Sequence, residues 1–233
     1  MQFDTIFFDI GNTLFFFNYE FLREMLAQRF GVARTVGEIE LRHAETKRSL
    51  VTDKLVGTLS HDALWWEAYR RWLGLLGVEE GDIRGISETI RNHPFRHLFW
   101  SKMEEGTPET LDWFRERGFK LGVISNAEGQ IRRLLEHANM EERFDVIIDS
   151  GVVGFAKPDE RIFKHAVERM GAKSASCIHV GDLFEVDVVG ARQAGITPIL
   201  VDREELSGGV DCLKVRRVVD LPKLEIFSEK TTS

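Results

Sequence analysis

Three apolar runs in this chain stop at polar residues that could do chemistry together. Ile6-Phe7-Phe8 ends in Asp9-Ile10-Gly11-Asn12-Thr13, Gly122-Val123-Ile124 ends in Ser125-Asn126, and Ile178-His179-Val180 ends in Gly181-Asp182, with Asp187 shortly beyond. Lys157-Pro158 stands between the second and third runs and is expected to open a helix. The set offers two carboxylates from different runs, a third just downstream, a hydroxyl with an amide, and one lysine. Carboxylates crowded at one edge repel unless a cation joins them. Hard oxygen ligands with open positions suit magnesium, which keeps waters and shares coordination with a substrate phosphate. Ser125 and Lys157 are then suited to phosphoryl oxygens, one as a hydrogen-bond donor and one as a point charge.

These residues meet only if the runs are neighbouring parallel strands, because the functional crevice of such a sheet lies beyond its carboxyl ends. The pattern supports this. Strands are expected from Phe3 to Phe8, Lys120 to Ser125, Asp145 to Asp149, Ser176 to Gly181 and Thr197 to Val201. Helices are expected between them: one starting at Thr107-Pro108 and closed by Gly118, then Gln130 to His137, Asp159 to Met170 and Val186 to Gly195. Alternation of this kind predicts an α/β fold with a Rossmann-like parallel sheet.

From Asn18 to about Asn92 the character changes to helical periodicity without a convincing strand. Phe21, Leu22, Met25, Leu26 and Phe30 share one stripe, and Trp65, Tyr69, Trp72, Leu73 and Leu76 another, which reads as packing. The expected division is a core of residues 1–16 and 93–233 and an inserted α-helical cap domain of residues 17–92. An insertion at a strand tip typically covers a site.

Composition excludes several other classes. The 233 residues are 43% hydrophobic and 30% charged, ordinary for a globular protein, and the net charge of -7 comes without a sustained basic block. Nucleic acid is therefore not an expected partner. No run approaches the ~20 apolar residues of a membrane span, and the N-terminus lacks the features of a secretory signal. Cys177 and Cys212, neither in a CxxC spacing, read as reduced thiols in a cytoplasmic protein, without a zinc site. Residues Ser228 to Ser233 are polar and expected to fray.

Taken in order, the strand-end residues resemble the four motifs of the haloacid dehalogenase superfamily, mostly magnesium-dependent phosphohydrolases that work through an aspartyl-phosphate intermediate. The likeness runs from Phe3 to about Val201, and the helical insertion matches the cap of one large subclass. The resemblance implies that Asp9 is the nucleophile, forming an acyl phosphate that splits one hard hydrolysis into two easier steps. Thr13, Ser125 and Asn126 would contact the substrate's phosphoryl group, and Lys157 would neutralise charge on the transferred oxygens and hold Asp9 in line. Magnesium would be bound by Asp9, the Gly11 carbonyl and Asp182, with Asp187 behind them as partner to the metal's waters or to Lys157.

Each residue also has a plainer reading. Strand-end carboxylates and hydroxyls often bond only to the local turn, a lysine before proline is usually solvated, and Asp182 and Asp187 could cap a helix. His179, inside an apolar strand, reads as core. By the functional reading, in which Lys157 stabilises charge in the transition state, Lys157→Ala should cost turnover far more than stability.

The departure is Gly11. The common superfamily pattern is DxDxT, whose second acid protonates the leaving oxygen and then deprotonates the attacking water, help typically worth about 10²- to 10⁴-fold. Glycine keeps the backbone carbonyl and loses the acid. Haloacid dehalogenases with tyrosine there expel halide, but the Asp182–Asp187 pair argues against a metal-free dehalogenase. Phosphonoacetaldehyde hydrolases with alanine there need a cap lysine, for which Lys47 and Lys54 are available. Some sugar-1-phosphate phosphatases carry Asp-Leu-Gly-Asn, very like Asp9-Ile10-Gly11-Asn12. The expected function is a magnesium-dependent phosphatase for a small phosphorylated metabolite. Arg42, His43, Lys47 and Arg48 are candidates for selectivity, and the competing reading is a weakened member kept as a binding or interaction module.

Overall fold

A computed structural model of the chain describes residues 3–203, 205 and 207–227. The expectation of fraying at Ser228 to Ser233 falls outside the described residues. The chain forms two compact units, Met1–Phe16 with Lys102–Ser233, and Phe17–Ser101.

The first unit is built on a six-stranded parallel sheet. Its strands are β1 (Thr5–Phe8), β4 (Lys120–Ser125), β5 (Val146–Asp149), β6 (Cys177–Gly181), β7 (Thr197–Val201) and β8 (Leu213–Val215), in the order β5-β4-β1-β6-β7-β8. A short antiparallel ribbon of β2 (Phe15–Phe16) and β3 (Lys102–Met103) completes the set of strands. Central strands buried on both faces read as unbroken apolar runs rather than alternating ones. In β1, accordingly, Ile6, Phe7 and Phe8 are all inaccessible to solvent. Phe8 lies in register with Val123 of β4 and Val180 of β6, so the three strands end side by side. The ladder continues one residue further, where the Asp9 amide donates to the Val180 carbonyl at 2.8 Å.

Helices Thr107–Glu116, Ile131–His137, Glu160–Met170 and Val189–Gln193 connect the strands. One core cluster joins Phe7, Ile124 and Ile148 of the sheet to Ile162, Phe163, Ala166 and Met170 of the third of these helices. Gly122 makes room for that packing, since a β-carbon there would lie 2.6 Å from the Phe7 ring.

Several elements differ from the sequence expectation. β8 appears at an edge, where Leu213 is exposed and the run is too short and polar to register as a strand. A four-residue helix, Ser150–Val153, follows β5, its start held by the Asp149 carboxylate, which accepts from the amides of Gly129, Ile131 and Gly151. Lys157 precedes the following helix rather than opening it. That helix begins at Glu160 because the Asp159 side chain accepts from the Arg161 amide and fixes the N-terminus there. The expected helix Val186 to Gly195 is a π-turn, Phe184–Val188, running into α-helix Val189–Gln193.

The second unit contains helices Tyr19–Phe30, Val36–Thr52, His61–Leu75 and Glu80–Arg91. Their starts carry side-chain caps where the sequence supplies them: Asn18, Ser60, and a reciprocal capping box between Thr35 and Glu38. Leu22, Leu26, Trp72, Leu73 and Leu76 enter one core with Ile39, Ile83, Ile86 and Ile90, while Phe21, Phe30 and Trp65 pack against it. The Trp72 indole N–H donates to the Ile39 carbonyl at 3.0 Å, so this large ring is buried with its polar atom satisfied. The unit extends past the expected end at Asn92 to Ser101, because Phe99 belongs to its core and Trp100 packs on it. Among the described residues no helix is long and apolar enough to cross a membrane.

Candidate active site

The ends of β1, β4 and β6 bring Asp9, Ser125 and Asp182 to one edge of the sheet, as parallel neighbours must. Lys157 arrives from the segment before helix Glu160–Met170. Its Nζ donates to Asp9 Oδ1 at 2.6 Å and to Asp187 Oδ1 at 2.7 Å, with all three side chains buried. Asn126 fixes this lysine from the backbone side. Its Oδ1 accepts from the Lys157 amide at 2.7 Å and its Nδ2 donates to the Lys157 carbonyl at 2.9 Å. The sequence expectation gave Asn126 a substrate contact. Both of its side-chain polar atoms are engaged with the Lys157 backbone, so Asn126 also ties the lysine's segment to the end of β4.

Asp187 reaches the cluster because the chain after β6 winds as a π-turn, with the Asp187 amide donating to the Leu183 carbonyl at 2.7 Å. Single π-turns recur at functional sites, where one extra residue per turn redirects a side chain. The Asp187 carboxylate then folds back against Gly181. It accepts from Lys157 Nζ, from His179 Nε2 at 2.9 Å and from the Leu183 amide at 3.0 Å.

Burial pushes the Asp9 carboxyl above its ordinary range; Lys157 works against this and the Asp187 charge adds to it. Asp187 lies on the other side. Burial would raise it too, but Lys157 and His179 outweigh that and hold it well below the usual carboxylate range. For Lys157, burial favours the neutral amine, and the two carboxylates overcome it, keeping the ammonium charged. Burial lowers the His179 imidazole, and the Asp187 carboxylate works against this.

One carboxylate oxygen from each of Asp9, Asp182 and Asp187 lies within 4.8 Å of the others. Carboxylates this close repel one another unless a cation joins them. A divalent cation would do so, and the hard oxygen donors fit magnesium. Asp187 already accepts from three donors. Thr13 adds an independent signal: its Oγ1 is buried and has no hydrogen-bond partner among the described residues. The plainer reading, in which this hydroxyl serves its own turn, does not apply. The turn's amides are satisfied by backbone alone, with Thr13, Leu14 and Phe15 N–H all directed to the Ile10 carbonyl. A buried orphan hydroxyl calls for an explanation, and a ligand oxygen would supply one.

The haloacid dehalogenase-like hydrolase profile matches residues 3–195, from β1 to just past helix Val189–Gln193. The chain belongs to that family of hydrolases. Among its family relatives, a bovine haloacid dehalogenase-like hydrolase domain-containing protein 3 is 32% identical over 147 residues, covering 62% of this chain and 57% of that protein. The chain thus spans little more than half the length of that relative. A glyceraldehyde 3-phosphate phosphatase from Methanothermobacter thermautotrophicus is 40% identical over 104 residues, 42% of this chain and 44% of the other. Pyrimidine 5'-nucleotidase YjjG of Escherichia coli is 29% identical over 204 residues, 84% of each chain. The fold is shared with solved structures across nearly the whole length. The HAD-hydrolase YfnB from Bacillus subtilis, solved bound to magnesium, superposes with a TM-score of 0.71 at 16% identity, covering 98% of this chain and 100% of the other.

Two residues of this family member's site escaped sequence reasoning. His179 was expected to be plain core; it is fully buried, but it also holds Asp187. The available signal was parity, since alternate residues of a strand face the same side and His179 is two residues before Gly181. Gly181 itself is required by contact. A β-carbon there would lie 2.2 Å from Asp187 Cγ.

Proposed function

We propose that the protein is a magnesium-dependent phosphatase that hydrolyses a small phosphorylated metabolite through an aspartyl phosphate on Asp9. The observation that carries this reading is the buried Lys157 ammonium seated between Asp9 and Asp187. With Oδ1 of Asp9 engaged by Lys157, the other oxygen is left to attack phosphorus. That attack forms an O–P bond and breaks the bond to the leaving oxygen, which takes up a proton. Water then attacks the same phosphorus, releasing inorganic phosphate and restoring the Asp9 carboxylate.

In this reading the Thr13 and Ser125 hydroxyls donate to phosphoryl oxygens, and Lys157 offsets charge that grows on them in the transition state. Asp9, Asp182 and the Gly11 carbonyl would hold magnesium, which supplies positive charge against the phosphoryl oxygens. Asp187 keeps Lys157 in position. The helical unit Phe17–Ser101 is assigned the role of cap and of substrate selection. Relatives named as a glyceraldehyde 3-phosphate phosphatase and a pyrimidine 5'-nucleotidase support a small phosphate monoester as the substrate class. The intact charge cluster favours an enzyme over a binding module, which has no need of a nucleophile held in line.

The test is phosphate release from an aryl phosphate and from a panel of phosphorylated metabolites. Release should require magnesium, stop on chelation and vanish in Asp9→Asn. Turnover that survives either treatment would remove the metal or the nucleophile from the account.

A further inference from the structure

His179 is the most deeply buried polar side chain near the site, and its two nitrogens are treated very differently. Nε2 meets Asp187 Oδ1 at 2.9 Å, whereas Nδ1 is buried with no hydrogen-bond partner. The ring packs edge-on against Phe163 at 5.0 Å between centroids. Leaving a buried polar atom unsatisfied costs about 1–3 kcal/mol, so an aliphatic residue would serve this position better if packing were its only task. What the histidine adds is one N–H directed at one oxygen.

That oxygen is the one that also receives Lys157. Asp187 Oδ1 accepts from both His179 and Lys157, while Oδ2 accepts from the Leu183 amide. The carboxylate is therefore pinned at both oxygens, and its orientation decides where the ammonium sits between Asp187 and Asp9. Removing the His179 donor leaves Lys157 as the partner of Oδ1 and the Leu183 amide as the partner of Oδ2, so the ammonium and the carboxylate lose the fixed point that sets their common position and can shift together relative to Asp9 Oδ1.

From this geometry we infer that His179 is a positioning residue of the active site: through its Nε2–H it orients Asp187, which seats Lys157 on the Asp9 carboxylate. The inference rests on the phosphatase reading for its kinetic consequence, and on hydrogen bonding alone for its structural one. Because His179 touches neither nucleophile nor substrate, its loss should lower kcat and leave KM nearly unchanged.

Three variants of the full chain and one spectroscopic measurement test it. His179→Leu keeps apolar volume and removes the donor, and should reduce kcat about 10-fold or more, in line with other outer-shell partners, with KM within about twofold and an unchanged or raised melting temperature. His179→Gln, whose amide N–H can reach the same oxygen, should recover most of that loss. In the Lys157→Met background, His179→Leu should have no further effect on turnover. The ¹⁵N resonances of the histidine ring in the wild-type protein should report the Nε2–H tautomer with Nδ1 unprotonated. Undiminished kcat in His179→Leu, parallel loss of melting temperature and kcat in both variants, or the Nδ1–H tautomer overturns the inference. If the wild-type protein releases no phosphate from any substrate, the proposed function fails instead, and the tautomer alone decides the position of His179.

Discussion

The carboxyl carbon of Asp187 lies 2.2 Å from where a β-carbon on Gly181 would stand. The glycine of this strand end is thus a space reserved for the carboxylate that holds Lys157. Gly181→Ala forces one of them to move, and Asp187 is held by Lys157, His179 and Leu183. The expected outcome is a loss of about 1–3 kcal/mol in stability, the usual cost of overpacking, with a larger proportional loss of turnover than of substrate affinity. Chemical denaturation and steady-state kinetics on one preparation would check it; an alanine variant with native turnover would show that Asp187 can shift freely.

Lys157 behaves differently from the solvated lysine that its sequence neighbours suggest. Its burial between two carboxylates means that Lys157→Met leaves two uncompensated charges inside the protein, a change that typically costs about 3–5 kcal/mol. Turnover and stability should therefore fall together, whereas the sequence implies that turnover falls far more than stability. The pH dependence gives the signature. Without the ammonium, both carboxyls titrate above their unfolded value of about 3.9, and the folded protein binds more protons than the unfolded one between the two values. Stability lost at neutral pH should then return as pH falls through the raised folded values. A Lys157→Met protein whose deficit relative to wild type is constant from pH 8 to pH 5 would contradict this.

These two cases show what was readable in advance. The strand ends were legible because apolar runs alternate with helical stretches, and β1, β4 and β6 end where the polar residues begin. The acids, the hydroxyls and the lysine all come from those ends and connections. Burial was not legible for Lys157, whose neighbours Pro158 and Asp159 are polar or turn-forming, because it is created by the convergence of three distant segments. The bond between Asn126 and the Lys157 backbone is hidden for the same reason, its partner being 31 residues away. His179 was read as core since its apolar neighbours are visible in the sequence and Asp187's return through a π-turn is not. β8 and the extension of the helical unit to Ser101 rest on tertiary contacts of short segments with little periodicity of their own.

In the helical unit, His43 stacks on Trp72 at 4.3 Å between ring centroids, and its Nδ1 lies 2.8 Å from the Tyr19 hydroxyl. Burial, with a contribution from Lys47, pushes its pKa down to about 3. A histidine neutral in the fold and near 6.5 when unfolded contributes stability that is complete above the unfolded value. Below it the unfolded chain takes up a proton that the folded chain refuses, and stability is lost as pH falls toward about 3. Wild type should lose stability relative to His43→Gln between pH 6.5 and 4, by no more than about 1.4 kcal/mol per pH unit. Melting curves of both proteins across that range, compared by difference, check the sign; parallel curves would mean that His43 is protonated in the folded protein.

Gly11 predicts a bias in leaving groups. Where the superfamily commonly carries a second acid, this chain has no side chain at all, so expulsion of a strongly basic alkoxide must proceed without a proton from that position. Acidic leaving groups lose little by this, while basic ones lose up to the 10²- to 10⁴-fold that general acid–base help is typically worth. Aryl, acyl and anomeric sugar phosphates should therefore turn over faster than simple alkyl phosphates. Gly11→Asp should compress that spread by speeding the slow substrates. The left-handed backbone position of this turn belongs to Asn12, at φ 55°, so the neighbouring substitution does not fall on the residue that bears it. The measurement is kcat against the pKa of the leaving group for both proteins, with the chemical step limiting. A steep slope in the wild type that flattens in Gly11→Asp is the expected result. A flat slope in the wild type would mean that another group, such as a residue of the helical unit, delivers the proton, and the glycine would then carry no consequence for substrate choice.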